Sequence, residues 1–420
     1  MNIEILNTGS ELMLGRVLNS HQQWLCRQFA DAGYVVRRQT AVPDTAPDIQ
    51  QAIREALGRA DLIVCTGGLG PTSDDLTRDA IAELFGRSLR EDPTVVAALN
   101  DWCAARKRTP SAAVRIQAQV PDGATVLLNA HGTAPGLRME LGPNPYSPTG
   151  HPAWLVMLPG PPRELRPMFT QQVLPWVQQT FPLEACFVCH TLRSTGVAES
   201  TMQERLAASL ADLVARGLEI GYCARPGEVD VRLSAATLEA AALVAAAEAI
   251  TRERVGSNLY GEESDSLEAA VVKMLTSQHR TVAVAESCTG GRLASRLTDV
   301  PGASAVFLGG FITYSNELKQ RLVGVRTETL ATHGAVSEAT AREMAEGARE
   351  RTGADYALAV TGIAGPGGGT PEKPVGTVFI ALASAAGTRV QHQLNVLDRE
   401  TFKQLTSQQA LELLRQALRV

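Results

Sequence analysis

Near the start of the chain, short apolar runs at Asn2 to Asn7, Val35 to Val42 and Asp61 to Cys65 alternate with stretches of helical periodicity at Val17 to Ala32, Ile49 to Arg59 and Thr77 to Phe85. Strands separated by helices cannot close as hairpins. They lie parallel, the helices cover both faces of the sheet, and ligands bind beyond the carboxyl ends of the strands. The richest such end is Thr66-Gly67-Gly68-Leu69-Gly70-Pro71-Thr72-Ser73-Asp74-Asp75-Leu76-Thr77. Its glycines and Thr66 can present backbone donors to a phosphate, and Asp74 and Asp75 offer hard oxygen ligands to a divalent cation. Asp74 read alone is equally a helix N-cap.

The chain has 420 residues, 45% hydrophobic and 20% charged, enough for two or three domains. Thirty-nine Lys plus Arg face 44 Asp plus Glu, a formal charge of −5, so no global basic field recruits nucleic acid. The N-terminus enters a strand at once, without the cationic start and apolar core of a secretory signal, and no apolar run is long enough to span a bilayer. A cytoplasmic protein with no membrane partner is expected. Its seven scattered cysteines should be reduced thiols. Cys186-Phe187-Val188-Cys189 followed by His190 has the spacing of half a zinc site. In an extended strand the two thiols point to opposite faces and no second Cys pair completes the set, so buried small hydrophobes are the preferred reading.

A second strand–turn–helix unit follows later. Thr281 to Ala285 reads as a buried strand and Arg292 to Leu297 as a helix, and Glu286-Ser287-Cys288-Thr289-Gly290-Gly291 lies between them. The two glycines permit a sharp turn that lifts Ser287 out of the sheet, and the free N–H groups of a helix start would face a developing oxyanion. Ser287 needs a base. Lys319, in Thr313-Tyr314-Ser315-Asn316-Glu317-Leu318-Lys319, can serve if burial or a neighbouring cation lowers its pKa, and Tyr314 can orient or relay the proton. Cys288 is the rival nucleophile, since a thiolate at a helix N-terminus is reactive. The run Val360-Thr361-Gly362-Ile363-Ala364-Gly365-Pro366-Gly367-Gly368-Gly369 allows backbone donors to approach an anion closely, or is a long turn-rich connection. It lacks the Lys-Ser/Thr of a P-loop.

From about Ser266 onward these runs, with Gly309-Gly310-Phe311-Ile312-Thr313-Tyr314-Ser315-Asn316, Gly334-Ala335-Val336-Ser337 and Lys373-Pro374-Val375-Gly376-Thr377, resemble the C-terminal domain of the CinA family, found alone as PncC. The resemblance implies a nicotinamide mononucleotide amidohydrolase that needs no cofactor and releases ammonia. Ser287 would be the nucleophile, Lys319 the general base, and Tyr314 would assist. The substrate would be bound by Glu286, Cys288, Thr289, Gly290, Gly291, Thr361, Gly362, Gly365, Gly367 and Arg399. The chain departs from the family's Gly-Asp-Arg at Leu397-Asp398-Arg399 and carries Lys403 where a second arginine is common. Arg399 remains available to grip a phosphate through its fork.

The first run, with Thr8-Gly9-Ser10-Glu11-Leu12, Leu14-Gly15, Asn129 to Gly136 and Leu158 to Glu164, resembles the molybdopterin-binding domain of the MoeA and MogA kind in its CinA version. That implies a site of Gly9, Glu11, Thr66, Gly67, Gly68, Gly70, Pro71, Thr72, Asp74 and Asp75. Asp74 and Asp75 would hold Mg²⁺ or a similar divalent ion for ADP-ribose pyrophosphatase chemistry. The Pro- and Gly-rich insert Gly142 to Pro152 reads as a surface turn. Between the two parts, strand, helix, hairpin and helix resemble the KH-like middle domain of CinA proteins. It has no Gly-x-x-Gly loop, so a spacer or dimerisation role is expected rather than nucleic-acid binding. The alanine-rich run Ala235 to Ala249 reads as helix, and acidic Ser257 to Ser266 as a linker.

The expected architecture is therefore α/β. A doubly wound, mostly parallel, molybdopterin-binding-like sheet spans residues 1–170, a small KH-like α+β domain 171–256, and an α/β amidohydrolase domain 257–420. A homodimer acting on small pyridine nucleotides in salvage is the first reading. The second is a non-catalytic partner protein of DNA uptake and damage response with a vestigial pterin- or nucleotide-binding pocket.

Overall fold

The computed structural model describes residues 1–147, 150, 152–183 and 187–419, so Cys186 and part of the 142–152 insert lie outside the described residues. The chain divides into two compact units, Met1–Val188 with Ala236–Ala240, and Cys189–Ala235 with Ala241–Val420.

In the first unit, β1 (Ile3–Thr8), β2 (Val36–Val42), β3 (Leu62–Thr66), β4 (Thr125–Leu127), β5 (Gly136–Leu141) and β6 (Ala153–Leu158) form one sheet of order β2-β1-β3-β6-β5-β4. The first four in that order are parallel, and β5 pairs antiparallel with both β6 and β4. The central strands are buried on both faces, which is why they read as nearly continuous apolar runs. Ile3, Ile5, Leu62, Val64 and Val156 pack with Leu25 and Phe29 of helix α1 (Ser20–Asp31). Leu6, Ile63, Leu155 and Met157 pack with Ile49, Ile53 and Leu57 of α2 (Ala46–Leu57). Helix α1 begins three residues later than its periodicity suggests. The Asn19 side chain accepts from Gln22 N–H and caps it there, leaving Val17 and Leu18 outside and exposed. Helix α3 (Thr77–Leu84) follows the glycine loop.

In the second unit, β7 (Phe187–Ser194), α4 (Glu199–Ala215), β8 (Leu218–Arg225), β9 (Glu228–Ala236) and α5 (Ala240–Val255) form the KH-like domain, with sheet order β8-β9-β7-β10. Two expectations change here. The alanine-rich run starts in β9, and its helix begins only at Ala240. The expected linker contributes the edge strand β10 (Leu259–Glu262), antiparallel to β7, because Leu259 and Tyr260 are half-buried and the Tyr260 hydroxyl donates to Glu228.

The C-terminal domain is a sheet of order β12-β11-β13-β14-β15, from β11 (Val282–Glu286), β12 (Phe307–Ile312), β13 (Tyr356–Gly362), β14 (Thr377–Ser384) and β15 (Gly387–Leu394). The first three in that order are parallel, and β14 pairs antiparallel with both β13 and β15. Its two faces differ. Val282, Val284, Leu358, Val360, Ile380 and Leu382 meet large side chains of α6 (Leu267–Ser277), α7 (Arg292–Thr298) and α10 (Arg399–Ala417). On the opposite face Ala283, Ala285, Ala357, Ala359, Ala381 and Ala383 meet the alanines and Met344 of α9 (Glu338–Thr352). Small side chains on both partners let that helix lie close to the sheet. The same architecture of α/β sheet, KH-like domain and α/β sheet was expected from the sequence.

Candidate active site

Strands β11 and β12 end level with each other, beside Val360 of β13. Glu286 pairs in register with Ile312 on one side and Val360 on the other. The next residue of each strand, Ser287, Thr313 and Thr361, therefore stands in one row at the carboxyl edge. Ser287 N–H donates to Val360 O at 2.9 Å and Thr313 N–H to Glu286 O at 2.8 Å, so the row is tied together by backbone. After Ser287 the chain turns through Gly290 and Gly291 with φ of 62° and 97°, a region that favours glycine. Helix α7 starts immediately afterwards.

Lys319 comes from α8 (Asn316–Val323), which Ser315 caps by accepting from Leu318 N–H. The lysine is 1% exposed. Its Nζ lies 3.0 Å from Ser287 Oγ and 2.8 Å from Thr313 O. Burial holds its pKa below the ordinary lysine value, offset only in part by Cys288, and among the described residues no carboxylate forms an ion pair with it. Once it has lost its proton, Nζ can donate to Thr313 O and turn its lone pair to the Ser287 hydroxyl. That is the arrangement of a nucleophile and its base.

Cys288 does not have the reactive character expected of it. It is 5% exposed and packed in the apolar core, and burial pushes its thiol up to about 12, so it is not a thiolate near neutrality. Glu286 also departs from its expected role. It is 0% exposed and accepts from the N–H groups of Gly291 (3.0 Å), Leu293 (3.1 Å) and Ala294 (2.8 Å). Those donors, expected to be free for an oxyanion, are spent on a carboxylate that caps α7. Within the turn, the N–H groups left over belong to Cys288 and Thr289.

A cavity of ≈ 290 Å³ opens beside the dyad. Of the residues read from the sequence, Ser287, Cys288, Tyr314, Lys319, Thr361, Gly362, Gly365, Gly367 and Arg399 line it, whereas Glu286, Thr289, Gly290 and Gly291 do not. Arg399 is the first residue of α10, placed by Asp398, whose carboxylate accepts from the N–H groups of Glu400 and Thr401. Its guanidinium donates to Gly365 O at 2.8 Å and to the Tyr314 hydroxyl at 3.0 Å, so Tyr314 is held toward the arginine. Leu397 leaves that placement intact. Ala335 and Val336 also line the cavity, and Thr361 Oγ1 donates to Ala335 O at 2.7 Å. The sequence named this pair only within a longer run and assigned it no role.

The N-terminal glycine loop borders its own cavity of ≈ 330 Å³. Gly9, Glu11, Gly67, Gly68, Gly70, Asp74 and Asp75 line it, while Thr66, Pro71 and Thr72 do not. A Cβ on Gly68 would meet Thr77 Oγ1 at 2.1 Å, so only glycine lets the loop approach α3 this closely. Asp75 braces the loop, accepting from Thr72 N–H at 2.9 Å and from the Thr72 hydroxyl. Asp74 does not cap α3, whose first turn has no side-chain cap. Sequence reasoning missed Asp44, held by Ser10 N–H at 2.7 Å, and assigned no role to Glu164, to which Asn129 Nδ2 donates at 2.8 Å. Both line the cavity. Among the described residues its wall carries Glu11, Asp44, Asp74, Asp75 and Glu164 and neither Lys nor Arg.

Fold and site together define an α/β protein with a serine–lysine pair at the carboxyl edge of one sheet and an acidic glycine-loop cavity at the edge of another. Residues 264–418 match the CinA C-terminal domain, 4–179 the family described as "Probable molybdopterin binding domain", and 189–261 the damage-inducible protein CinA KH domain. A CinA-like protein of Akkermansia muciniphila is 44% identical, covering 98% of this chain and 96% of the relative. A second, from Gemmatimonas aurantiaca, is 42% identical over 99% of this chain and 96% of its own length. Among solved structures, the competence/damage inducible protein CihA of Agrobacterium tumefaciens is 46% identical, covers 37% of this chain and 94% of that one, and has a TM-score of 0.35. The chain belongs to the CinA family.

Proposed function

We propose that the C-terminal cavity hydrolyses the carboxamide of nicotinamide mononucleotide to the acid and ammonia. The observation that carries this reading is the buried Lys319 amine, 3.0 Å from Ser287 Oγ and without a carboxylate partner among the described residues. Lys319 takes the Ser287 proton as Oγ attacks the amide carbon. It then returns that proton to the departing nitrogen, which leaves as ammonia from an acyl-serine. Water attacks the ester, Lys319 again taking and returning the proton, and the acid is released. Of the turn's backbone donors, the N–H of Cys288 belongs to a residue that lines the cavity and is the one proposed to face the oxyanion. Arg399 supplies a fixed positive fork for the substrate phosphate.

For the N-terminal cavity the proposed reaction is hydrolysis of ADP-ribose at its diphosphate. A diphosphate cannot enter a wall of carboxylates without positive charge, and the donor set of acidic oxygens fits a hard divalent cation. Asp74 is the ligand carried over from the sequence, with Asp75 shaping the loop, and the other acidic side chains of the wall add negative charge that would draw the ion in. Such an ion would supply Lewis-acid neutralisation of the phosphate oxygens. The glycine loop positions the phosphate through its backbone donors.

The test is ammonia release from nicotinamide mononucleotide by the purified chain beside its Ser287→Ala and Cys288→Ala variants. Loss with Ser287→Ala alone is expected. No release by folded wild-type protein would overturn the amidase reading and favour a partner protein without turnover.

A further inference from the structure

A second cavity, of ≈ 270 Å³, adjoins the glycine-loop cavity of the first unit. Thr8, Glu11, Gly67 and Gly160 line both, so the two lie side by side. Their linings differ in kind. The first is rich in carboxylates, whereas the second is lined by Asn7, Asn19 and His21 and by the apolar Leu12, Val17 and Leu18, with Glu11 as its carboxylate.

Three polar atoms of residues around this second cavity lack a partner. Asn7 is 2% exposed. Its Nδ2 donates to Thr66 Oγ1 at 2.6 Å, and its Oδ1 is buried with no hydrogen bond among the described residues. Asn19 uses its oxygen to accept from Gln22 N–H at 3.2 Å, which caps α1, and its Nδ2 is left without a partner. His21 bonds the backbone of Gly160, and its Nδ1 has none either. Burial holds the His21 pKa below the ordinary histidine value, the Gly160 bond opposing and Arg166 adding to the effect, so near neutrality the ring is uncharged and Nδ1 carries a lone pair. Buried polar groups are nearly always paired, and three orphans among the residues of one cavity call for a ligand that supplies the partners. The apolar side agrees. Val17 and Leu18 line the cavity while 54% and 89% exposed, and a flat ring seated there would cover them.

We propose that the second cavity seats the base of the diphosphate substrate, a heterocycle that carries an amino group beside a ring nitrogen. The assignment rests on the reading of the first cavity as the place of the diphosphate. The free groups select the base. Asn7 and His21 offer two acceptors and Asn19 one donor. An amino group beside an unprotonated ring nitrogen has two N–H donors and one lone pair, the complement of that set, as on the 6-amino edge of adenine. The 6-oxo edge of hypoxanthine has a carbonyl oxygen beside a single N–H and would leave an acceptor of the protein unpaired. A site built to bond an amino group rejects such an analogue.

Calorimetric titration of the full chain in Mg²⁺ with 5′-AMP and with 5′-IMP, the same nucleotide with a 6-oxo base, tests the proposal beside Asn19→Asp and Leu18→Ser. Asn19→Asp keeps an oxygen to cap α1 and removes the donor, so the fold is retained. The wild type should bind AMP about tenfold or more tighter than IMP, and Asn19→Asp should weaken AMP about tenfold and lose the preference. Leu18→Ser should weaken both nucleotides about threefold and keep the preference. Nucleotide held at the C-terminal cavity is common to all three proteins and cancels. Equal affinities for AMP and IMP in the wild type, an AMP affinity that Asn19→Asp leaves unchanged, or no binding by the folded chain would overturn the base site. Hydrolysis of ADP-ribose is scored separately. Base selectivity without hydrolysis removes the reaction and keeps the site, whereas hydrolysis indifferent to the base and to Asn19 keeps the reaction and removes the site.

Discussion

The two glycine-loop cavities are built alike and charged oppositely. Each lies beyond the carboxyl ends of parallel strands, and their volumes are similar, ≈ 330 Å³ and ≈ 290 Å³. Among the described residues the C-terminal wall carries the Arg399 guanidinium, the Lys319 amine and no carboxylate, whereas the N-terminal wall carries five carboxylates and no basic side chain. Backbone donors on a glycine loop can welcome an anion in either place. The side-chain charge decides what must come with it. One cavity brings its own positive charge, and the other has to import a cation.

The largest expected effect falls on the base. Lys319→Met keeps the bulk and removes the amine, so turnover should fall about 10³-fold or more with little change in KM, read by ammonia release. The wild-type rate should rise with pH as the ammonium loses its proton, through a value below the ordinary 10.5 because burial lowers it. Below that lowered value the lysine is charged in both folded and unfolded chains. Between it and 10.5 only the unfolded chain holds the proton, so the native state gains stability as pH rises across that window. Lys319→Met should flatten the gain, as thermal denaturation at several pH values would show. An unchanged rate would remove Lys319 as the base.

Chelation should separate the two cavities. Adding a chelator should lower ADP-ribose cleavage about 100-fold and leave amidase turnover within about twofold, the charge difference made visible in one experiment. Chelator-insensitive cleavage would break the comparison. Arg399→Lys should raise KM for the mononucleotide about tenfold with kcat nearly constant, since a lysine cannot reproduce the fork. A substrate lacking the phosphate should show no such change. The smallest effect belongs to Cys288→Ala, which should keep turnover within about threefold and cost about 1 kcal/mol of stability from lost core packing, read by denaturant unfolding. Rapid alkylation of Cys288 in the native protein would contradict its buried, high-pKa thiol.

Much of the fold could be read because its central strands are short, apolar and bounded by glycine turns, and because crossover helices show their period over three turns. What could not be read involved partners distant in sequence. Glu286 sits beside the nucleophile and reads as a substrate contact, yet its carboxylate is consumed by N–H groups five to eight residues on. The acidic stretch after Ser257 reads as a solvated linker, because nothing local shows that Tyr260 reaches Glu228 or that Glu262 faces His190. Asp44 carries no motif, and its place in the N-terminal cavity comes from the sheet order that sets β2 beside β1.

By itself the sequence determined the elements, the turns that only glycine permits, and the kinds of side chain brought to each sheet edge. These depend on local backbone sterics and on apolar periodicity, both written into neighbouring residues. Tertiary structure alone decided which groups are ionised and which are already spoken for. Ser287 and Lys319 are 32 residues apart, and packing brings the buried amine to the hydroxyl and lowers its pKa without an opposing carboxylate among the described residues. Cys288, one residue from Ser287, has its thiol pushed up by burial in the same place. Desolvation acts through space, so adjacency in the chain does not reveal it.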